Sequence, residues 1–347
     1  MNNKTIIAMS GGVDSSVAAF LTKKQGYQML GVTLALTDIE SSDITDAKAV
    51  ATRLGFEHTV VDLKSEFERE VIGRFIDAYE NLRTPNPCIY CNRHIKFGLL
   101  GDYAKDNGYN YVATGHYAQI TEENGRYILK KGVDASKDQS YVLYSLTQEQ
   151  LKHTLFPLGG LSKAEVREIA EENGFVNARK KESQDICFVP DGDYAGFIER
   201  YLGKTYAEGN FVDFDGNVLG THKGLIRYTV GQRKGLGLAL PKPMYVCELC
   251  GEKNCVVLGD NADLFSKTLD ADDINLITTD KIDNSIRVEA KVRYSQKAQK
   301  ATVWQTSDDK IHIEFDEPQR AITKGQAVVL YDGDTVVGGG TICRQEK

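Results

Sequence analysis

Over about the first 120 residues, short apolar runs alternate with stretches of helical periodicity, and this alternation constrains the fold more than any other feature. Thr5-Ile6-Ile7-Ala8-Met9 predicts a buried strand, after which Val13, Val17, Phe20 and Leu21 recur at helical spacing. Met29 to Leu34 predicts a second strand, with a helix across about Asp43 to Leu54. Thr59-Val60-Val61 predicts a third strand, Ser65-x-x-Glu68 spells a capping box for a long helix after it, and Tyr111 to Thr114 predicts a fourth strand. Strands joined by connections long enough for crossover helices predict an α/β, doubly wound parallel sheet.

Asn124-Gly125 is a type I′ hairpin signal, and Ser162-x-x-Glu165 caps a helix that Gly174 ends. Beyond about residue 200 the helical pattern gives way to turns such as Asp215-Gly216 and Asp332-Gly333 and to short β-branched runs such as Ile286 to Val288 and Ala327 to Leu330. The expected organisation is a doubly wound N-terminal domain over 1–200, a small β-rich central domain over 201–275 and a C-terminal β-barrel over 276–347.

The 41% hydrophobic and 26% charged content excludes disorder and collagen-like repeats, and no apolar run approaches the roughly 20 residues of a membrane span. The N-terminus carries no signal-peptide pattern, so a cytoplasmic protein with no membrane partner is expected. The 42 basic against 49 acidic side chains leave a net charge of −7, which argues against a wholly basic nucleic-acid binder and against DNA as a partner. Two stretches stand out against that balance. Thr221 to Met244 carries Lys223, Arg227, Arg233, Lys234 and Lys242 with no acid, and Ile286 to Lys300 carries Arg287, Lys291, Arg293, Lys297 and Lys300 against Glu289. A solvated mixed surface would look the same, but two such stretches suit a polyanion.

Ser10-Gly11-Gly12-Val13-Asp14-Ser15-Ser16 lies between the first predicted strand and the first helix. Its glycines allow a tight turn and close backbone approach, and its amides face a ligand at a helix N-terminus. A plain helix start capped by Asp14 or Ser15 is the bland alternative; the position after the first parallel strand, where open α/β sheets bind ligands, decides against it. No lysine follows as in a Walker A loop, and Gly203-Lys204-Thr205 fails because Ile198 stands where its first glycine belongs. The loop resembles that of the ATP pyrophosphatase (PP-loop) superfamily, whose members cleave ATP between the α- and β-phosphates and adenylate a carbonyl or carboxylate oxygen.

Thr84-Pro85-Asn86-Pro87-Cys88-Ile89-Tyr90-Cys91-Asn92 places two cysteines three apart on a proline-stiffened loop, with Arg93 and His94 following, where a thiolate could be stabilised. Glu182 to Phe188 presents a third, Cys187. Three cysteines also suit an open-faced iron–sulfur cluster. Cys247-x-x-Cys250-x₄-Cys255 is expected to be a cysteine-bearing hairpin turning at Gly251 rather than a zinc site, and Cys343 a packing residue.

With these motifs in order, the chain resembles the tRNA-specific 2-thiouridylase family. The matching segments also include Ile95-Lys96-Phe97, Ala113 to Ala118, Lys137 to Tyr141, Phe156 to Gly159, Ser183 to Phe188 and Gly231-Gln232-Arg233. The resemblance implies ATP-dependent replacement of the wobble uridine C2 oxygen by sulfur. ATP and Mg²⁺ would be required, tRNA would be the partner, and a sulfur-donor protein or hydrosulfide would supply the sulfur. It implies nucleotide contacts at Ala8, Met9, Ser10, Gly11, Gly12, Val13, Asp14, Ser15, Leu34 and Gly115, with Asp14 in the catalytic set. By the same resemblance Cys187 carries a persulfide, and Cys91 releases its outer sulfur and ends in a disulfide with Cys187. Asn86, Pro87 and Cys88 meet the target base, and His116, Lys137, Asp138, Gln139, Arg293, Tyr294 and Gln326 contact tRNA. An amide-like oxygen leaves poorly, so adenylation must precede sulfur attack, and a second thiol must detach the transferred sulfur. Many members carry aspartate where this chain has Cys88, which keeps open a cluster held by Cys88, Cys91 and Cys187.

Overall fold

The computed structural model describes residues 3–37, 41–180 and 186–346. Glu182 to Asp185, part of the third cysteine motif, lies outside them. The N-terminal domain is built on strands β1 (Lys4–Ala8), β2 (Gln28–Ala35), β3 (Glu57–Asp62) and β4 (Tyr111–Ala113). The hairpin β5 (Ala118–Glu123) and β6 (Arg126–Lys131) follows, and then the short β7 (Thr154–Leu155). The parallel sheet runs β3-β2-β1-β4-β7, so strand order reverses between β1 and β4. That reversal opens a crevice at the C-terminal ends of β1 and β4, the place where such sheets bind ligands. Ile6 and Ile7 on β1 are fully buried, one toward each face, which is why the strand reads as a continuous apolar run.

Helix α1 (Val13–Lys24) packs Val17, Ala18 and Ala19 against one face with α2 (Ser41–Leu54) and the helix Lys163–Glu172. Ser162 and Glu165 form the expected capping box, and Gly174 takes a left-handed φ of 60° after the helix. Asn124 and Gly125 both have positive φ, as a type I′ turn needs. The box at Ser65 does not form. The helix begins at Lys64, and the Ser65 hydroxyl donates to neighbouring Glu66 instead. The reason is local: with Ser65 already inside the first turn, it does not occupy the N-cap, the position from which a side chain reaches the N2 or N3 amide.

The central domain is a four-stranded sheet of β8 (Gly209–Val212), β9 (Val218–His222), β10 (Tyr245–Cys250) and β11 (Cys255–Gly259) in the order β10-β11-β8-β9. Cys250 faces Cys255 across the β10–β11 hairpin, whose turn at Gly251 is the one expected. The barrel comprises β12 (Phe265–Leu276), β13 (Ser285–Lys291), β14 (Gln299–Ser307), β15 (Lys310–Arg320), β16 (Ala327–Asp332) and β17 (Thr335–Glu346). Pairing of β12 with both β15 and β17 closes it, and Leu269, Ile313, Phe315, Val328 and Leu330 fill the interior. The barrel therefore takes in β12 from Phe265, ahead of residue 276, because that strand is needed for closure. It is also tied to the first domain: β6 pairs with β17 at Lys130 and Thr335, so the hairpin β5–β6 extends the barrel sheet.

Candidate active site

The loop after β1 turns at Gly11, whose φ of 72° and whose approach to Asp43 leave no room for a side chain; a Cβ there would lie 2.5 Å from the Asp43 carbonyl oxygen. Gly12 is the N-cap of α1, and no side chain caps the helix. The Ser15 and Ser16 hydroxyls instead donate back to the Gly12 carbonyl at 2.9 and 3.0 Å. The first turn of α1 thus keeps amides for an anion, where the helix dipole favours negative charge.

Asn177 braces the loop from behind, donating to the Gly11 carbonyl and the Ser16 hydroxyl, each at 2.9 Å. Lys180 binds Asp43 at 2.6 Å and Asp46 at 2.8 Å. Gly115, after β4, comes so close to α1 that a Cβ would lie 2.8 Å from both the Asp14 carbonyl carbon and the Ser15 nitrogen.

Asp14 is held by two residues that the sequence did not single out. The Tyr117 hydroxyl donates to it at 2.7 Å, and the Lys163 ammonium lies 2.7 and 2.8 Å from its two oxygens. Lys163 is only 8% exposed. As a lysine in the first turn of a capped helix, it reads in sequence as solvated surface.

A cavity of about 380 Å³ occupies the crevice. It is lined by Ala8, Met9, Ser10, Asp14 and Ser15, by the apolar Leu34 and Leu36 with Gly115, and by Lys96, His116, Gln139 and Cys187. Of the expected nucleotide positions, Ala8, Met9, Ser10, Asp14, Ser15, Leu34 and Gly115 line the cavity, and Cys187 opens onto the same space. His116 donates to or accepts from Thr114 at 2.7 Å and packs against Phe97 and Phe156. Burial, with Lys96 nearby, holds its pKa well below the ordinary value, so it is a neutral wall of the cavity.

The Thr84-to-Asn92 loop is clamped by all three domains. The Thr84 amide donates to the Lys324 carbonyl, its carbonyl accepts from Gln326, and its hydroxyl meets that of Thr229. Asn86 caps the short helix Pro87–Tyr90 by accepting from the Cys88 amide at 3.1 Å. The helix then widens to π geometry over Cys91–Leu99. Gln150 satisfies the Arg93 and Phe97 carbonyls there, and Asn92 donates to the Val142 carbonyl. Such widened turns often mark functional sites.

Cys88 and Cys187 are exposed, Cys91 is buried, and the three thiols lie within electrostatic reach of one another. Burial pushes the Cys91 thiol up to about 11, and the cation opposing that rise is Lys96. Surrounding protein likewise raises Cys187, followed by Cys88, while Lys96 pulls it down. Arg93 and His94 do not stabilise a thiolate as expected. Arg93 is bound to Asp273 at 2.9 Å, and burial, then Arg74 and Arg93, hold His94 below its ordinary pKa. Among the described residues no three His, Cys, Asp or Glu side chains converge as a metal-binding group.

The expected tRNA positions divide. Tyr294 is 43% exposed, and its hydroxyl donates to the Asp138 carbonyl at 3.2 Å, which places it beside the cavity segment. The Asp138 carboxylate is consumed by its own turn, accepting from Gly132 and Ser140. Gln139 accepts from the Tyr117 amide at the cavity edge, and Lys137 is half-buried beside it. Gln326 tethers Thr84, and the Arg293 guanidinium donates to the carbonyls of Val230 and Ala321 and the hydroxyl of Thr323, joining the central domain to the barrel. Arg227 pairs with Glu199, Lys242 with Asp260, and Arg287 with Asp316. Arg233, Lys234, Lys297 and Lys300 are exposed.

Three domain families match the chain in order: a tRNA methyl transferase HUP domain over residues 3–191, a tRNA methyl transferase PRC-barrel domain over 195–260 and an aminomethyltransferase beta-barrel domain over 266–342. At full length the chain is 52% identical to the tRNA-specific 2-thiouridylase MnmA of Clostridioides difficile (strain 630), over 99% of this chain and 98% of that protein. It is 49% identical to the protein of the same name from Clostridium acetobutylicum, over 99% and 100%. A solved U34-tRNA thiolase NcsA from Methanococcus maripaludis, with its [4Fe-4S] cluster, overlaps 57% of this chain and 66% of that one at 18% identity and a TM-score of 0.36, too loosely to bear on the chemistry. Near-complete coverage at about half identity, by proteins of one name and across all three domains, shows that the chain belongs to the tRNA-specific 2-thiouridylase family.

Proposed function

We propose that this protein is an ATP-dependent tRNA sulfurtransferase that converts the wobble uridine to 2-thiouridine and releases AMP and pyrophosphate. The observation that carries this reading is the shared cavity: the glycine-rich loop and Cys187 face the same space. Nucleotide activation and sulfur delivery can therefore meet at one atom.

ATP lies with its phosphates on the first turn of α1 and its base toward Leu34 and Leu36. Mg²⁺ would be held chiefly by the phosphates with one or two carboxylates, for which Asp14 and Asp43, both lining the cavity, are suited, and it would supply charge neutralisation on the pyrophosphate. The uridine C2 oxygen attacks the α-phosphorus and pyrophosphate leaves. A persulfide on Cys187, loaded by transfer of the outer sulfur from a persulfide-carrying donor protein, attacks C2; the C2–O bond breaks and AMP departs. The Cys91 thiolate then attacks the Cys187 sulfur, leaving thiouridine and a Cys91–Cys187 disulfide that an external thiol reduces. Tyr294 and Lys137, with exposed Arg233, Lys234, Lys297 and Lys300, form the tRNA-facing surface, and Asn86, Pro87 and Cys88 present the loop edge to the base.

The test is AMP and thiouridine formation from α-labelled ATP and a persulfide donor, with wild-type tRNA and with tRNA carrying cytidine at the wobble position. Product only with the uridine tRNA supports the reading. AMP release with a small acceptor and none with tRNA would replace it by a small-molecule adenylating activity.

A further inference from the structure

A cavity that takes a polyanion needs cations, yet the lysines nearest the loop are spoken for. Lys163 is bound to Asp14, and Lys180 to Asp43 and Asp46. His116 is neutral. Of the described residues lining the cavity, Lys96 alone brings a positive charge to its surface, and its ammonium forms no hydrogen bond or ion pair among them. The π-helical stretch that carries Cys91 also carries Lys96, five residues on; Gln150 pins it by donating to its Arg93 and Phe97 carbonyls, and Asn92 by donating to the Val142 carbonyl. Lys96 therefore stands on the cavity surface within electrostatic reach of both Cys91 and Cys187.

We propose that Lys96 is a further catalytic residue that stabilises the departing AMP during sulfur attack. The proposal rests on the sulfurtransferase reading and assigns a residue to its second step. In the adenylate the α-phosphate is a diester with one negative charge. As the C2–S bond forms, the C2–O bond breaks and its electron pair passes to the phosphate oxygen, which becomes a monoester with nearly two. No proton or redox equivalent is needed from the protein. What the step needs is a fixed positive charge where the new charge develops, and charge placed there in advance is worth most in a site shielded from water. The first step, pyrophosphate release, develops its charge on the leaving pyrophosphate, against the first turn of α1, and is expected to depend little on Lys96.

The experiment is a single turnover with persulfide-loaded protein, wobble-uridine tRNA and α-labelled ATP, following pyrophosphate, label retained on tRNA, and thiouridine. Lys96→Ala is expected to release pyrophosphate within about threefold of the wild-type rate, to accumulate label on tRNA, and to form thiouridine on the order of 10² to 10³ times more slowly. Lys96→Arg is expected to restore part of the second step. Wild-type thiouridine formation in Lys96→Ala overturns the proposal, and so does equal slowing of both steps in Lys96→Ala and Lys96→Gln. If the wild-type protein forms no thiouridine, the sulfurtransferase reading falls and Lys96 loses its assigned step with it. An active wild type beside an unimpaired Lys96→Ala defeats the Lys96 proposal alone.

Discussion

Replacing Asp14 leaves a buried ammonium without its partner. The Asp14 carboxylate accepts from Tyr117 at 2.7 Å and from Lys163 at 2.7 and 2.8 Å, with the Lys163 side chain 10% and Asp14 31% exposed. Breaking a fully buried ion pair by deleting one partner costs about 3–5 kcal/mol. Since Asp14 opens onto the cavity, water can reach part of the vacated space, and Asp14→Ala should cost about 2 kcal/mol of stability. Lys163→Met keeps the aliphatic stem and leaves Asp14 access to water, so about 1 kcal/mol is expected. The double variant should lose less than the sum by about 1 kcal/mol, the signature of a direct pair. Urea unfolding followed by circular dichroism measures all three, with ATP binding by calorimetry and turnover recorded well below each midpoint. Both single variants should lose nucleotide-dependent turnover, Asp14→Ala by removing the carboxylate and Lys163→Met by releasing it from position. Strictly additive stability changes, or an Asp14→Ala protein as stable as wild type, would refute the coupling.

Gly115→Ala should weaken ATP binding at least tenfold and cost about 1–3 kcal/mol, because its Cβ would press on the backbone of Asp14 and Ser15, which cannot rotate away; unchanged calorimetric affinity would count against the close approach. Burial holds the Cys91 thiol near 11, so with the thiolate as the reactive form its alkylation rate should keep rising about tenfold per pH unit past pH 9, where an ordinary cysteine levels off; a plateau near pH 8.5 would contradict this. Cys91→Ser and Cys187→Ser should each abolish thiouridine formation and leave ATP binding intact, whereas Cys88→Asp, at an exposed position, should stay active and free of iron; iron loss with inactivity would revive a cluster. Arg233→Glu with Lys234→Glu should weaken tRNA binding and flatten its salt dependence, since each lost phosphate contact removes released counterions, while Arg293→Glu should first lower stability by leaving the Val230 and Ala321 carbonyls without their donor; the reverse pattern in filter binding and urea melts would exchange their roles.

Much of the fold was legible because local rules and tertiary contacts agree. The fully buried β1 reads as an unbroken apolar run, Asn124-Gly125 reads as a turn because both residues must take positive φ, and Ser162 with Glu165 reads as a cap because the two can satisfy each other's amides. Ser65 shows the limit: the same four-residue pattern failed where the helix had already begun one residue earlier. The start of the barrel was also out of reach, since only the pairing of β12 with β15, where Phe265 meets Arg320, and with β17 assigns it.

At the site, the sequence by itself determined the chemistry on offer: a glycine-rich anion loop after a first parallel strand, and cysteines in polar loops. Those properties belong to residue types and to neighbours a few positions apart. The tertiary structure decided which groups are free to act. It tied Asp14 to Lys163 across 149 positions and spent Arg293 on joining two domains. It also buried Cys91 and aimed Lys96 at the cavity. Charge, burial and partnership depend on what lies across the fold, and a lysine in a capped first turn looks the same in sequence whether water or a carboxylate waits for it.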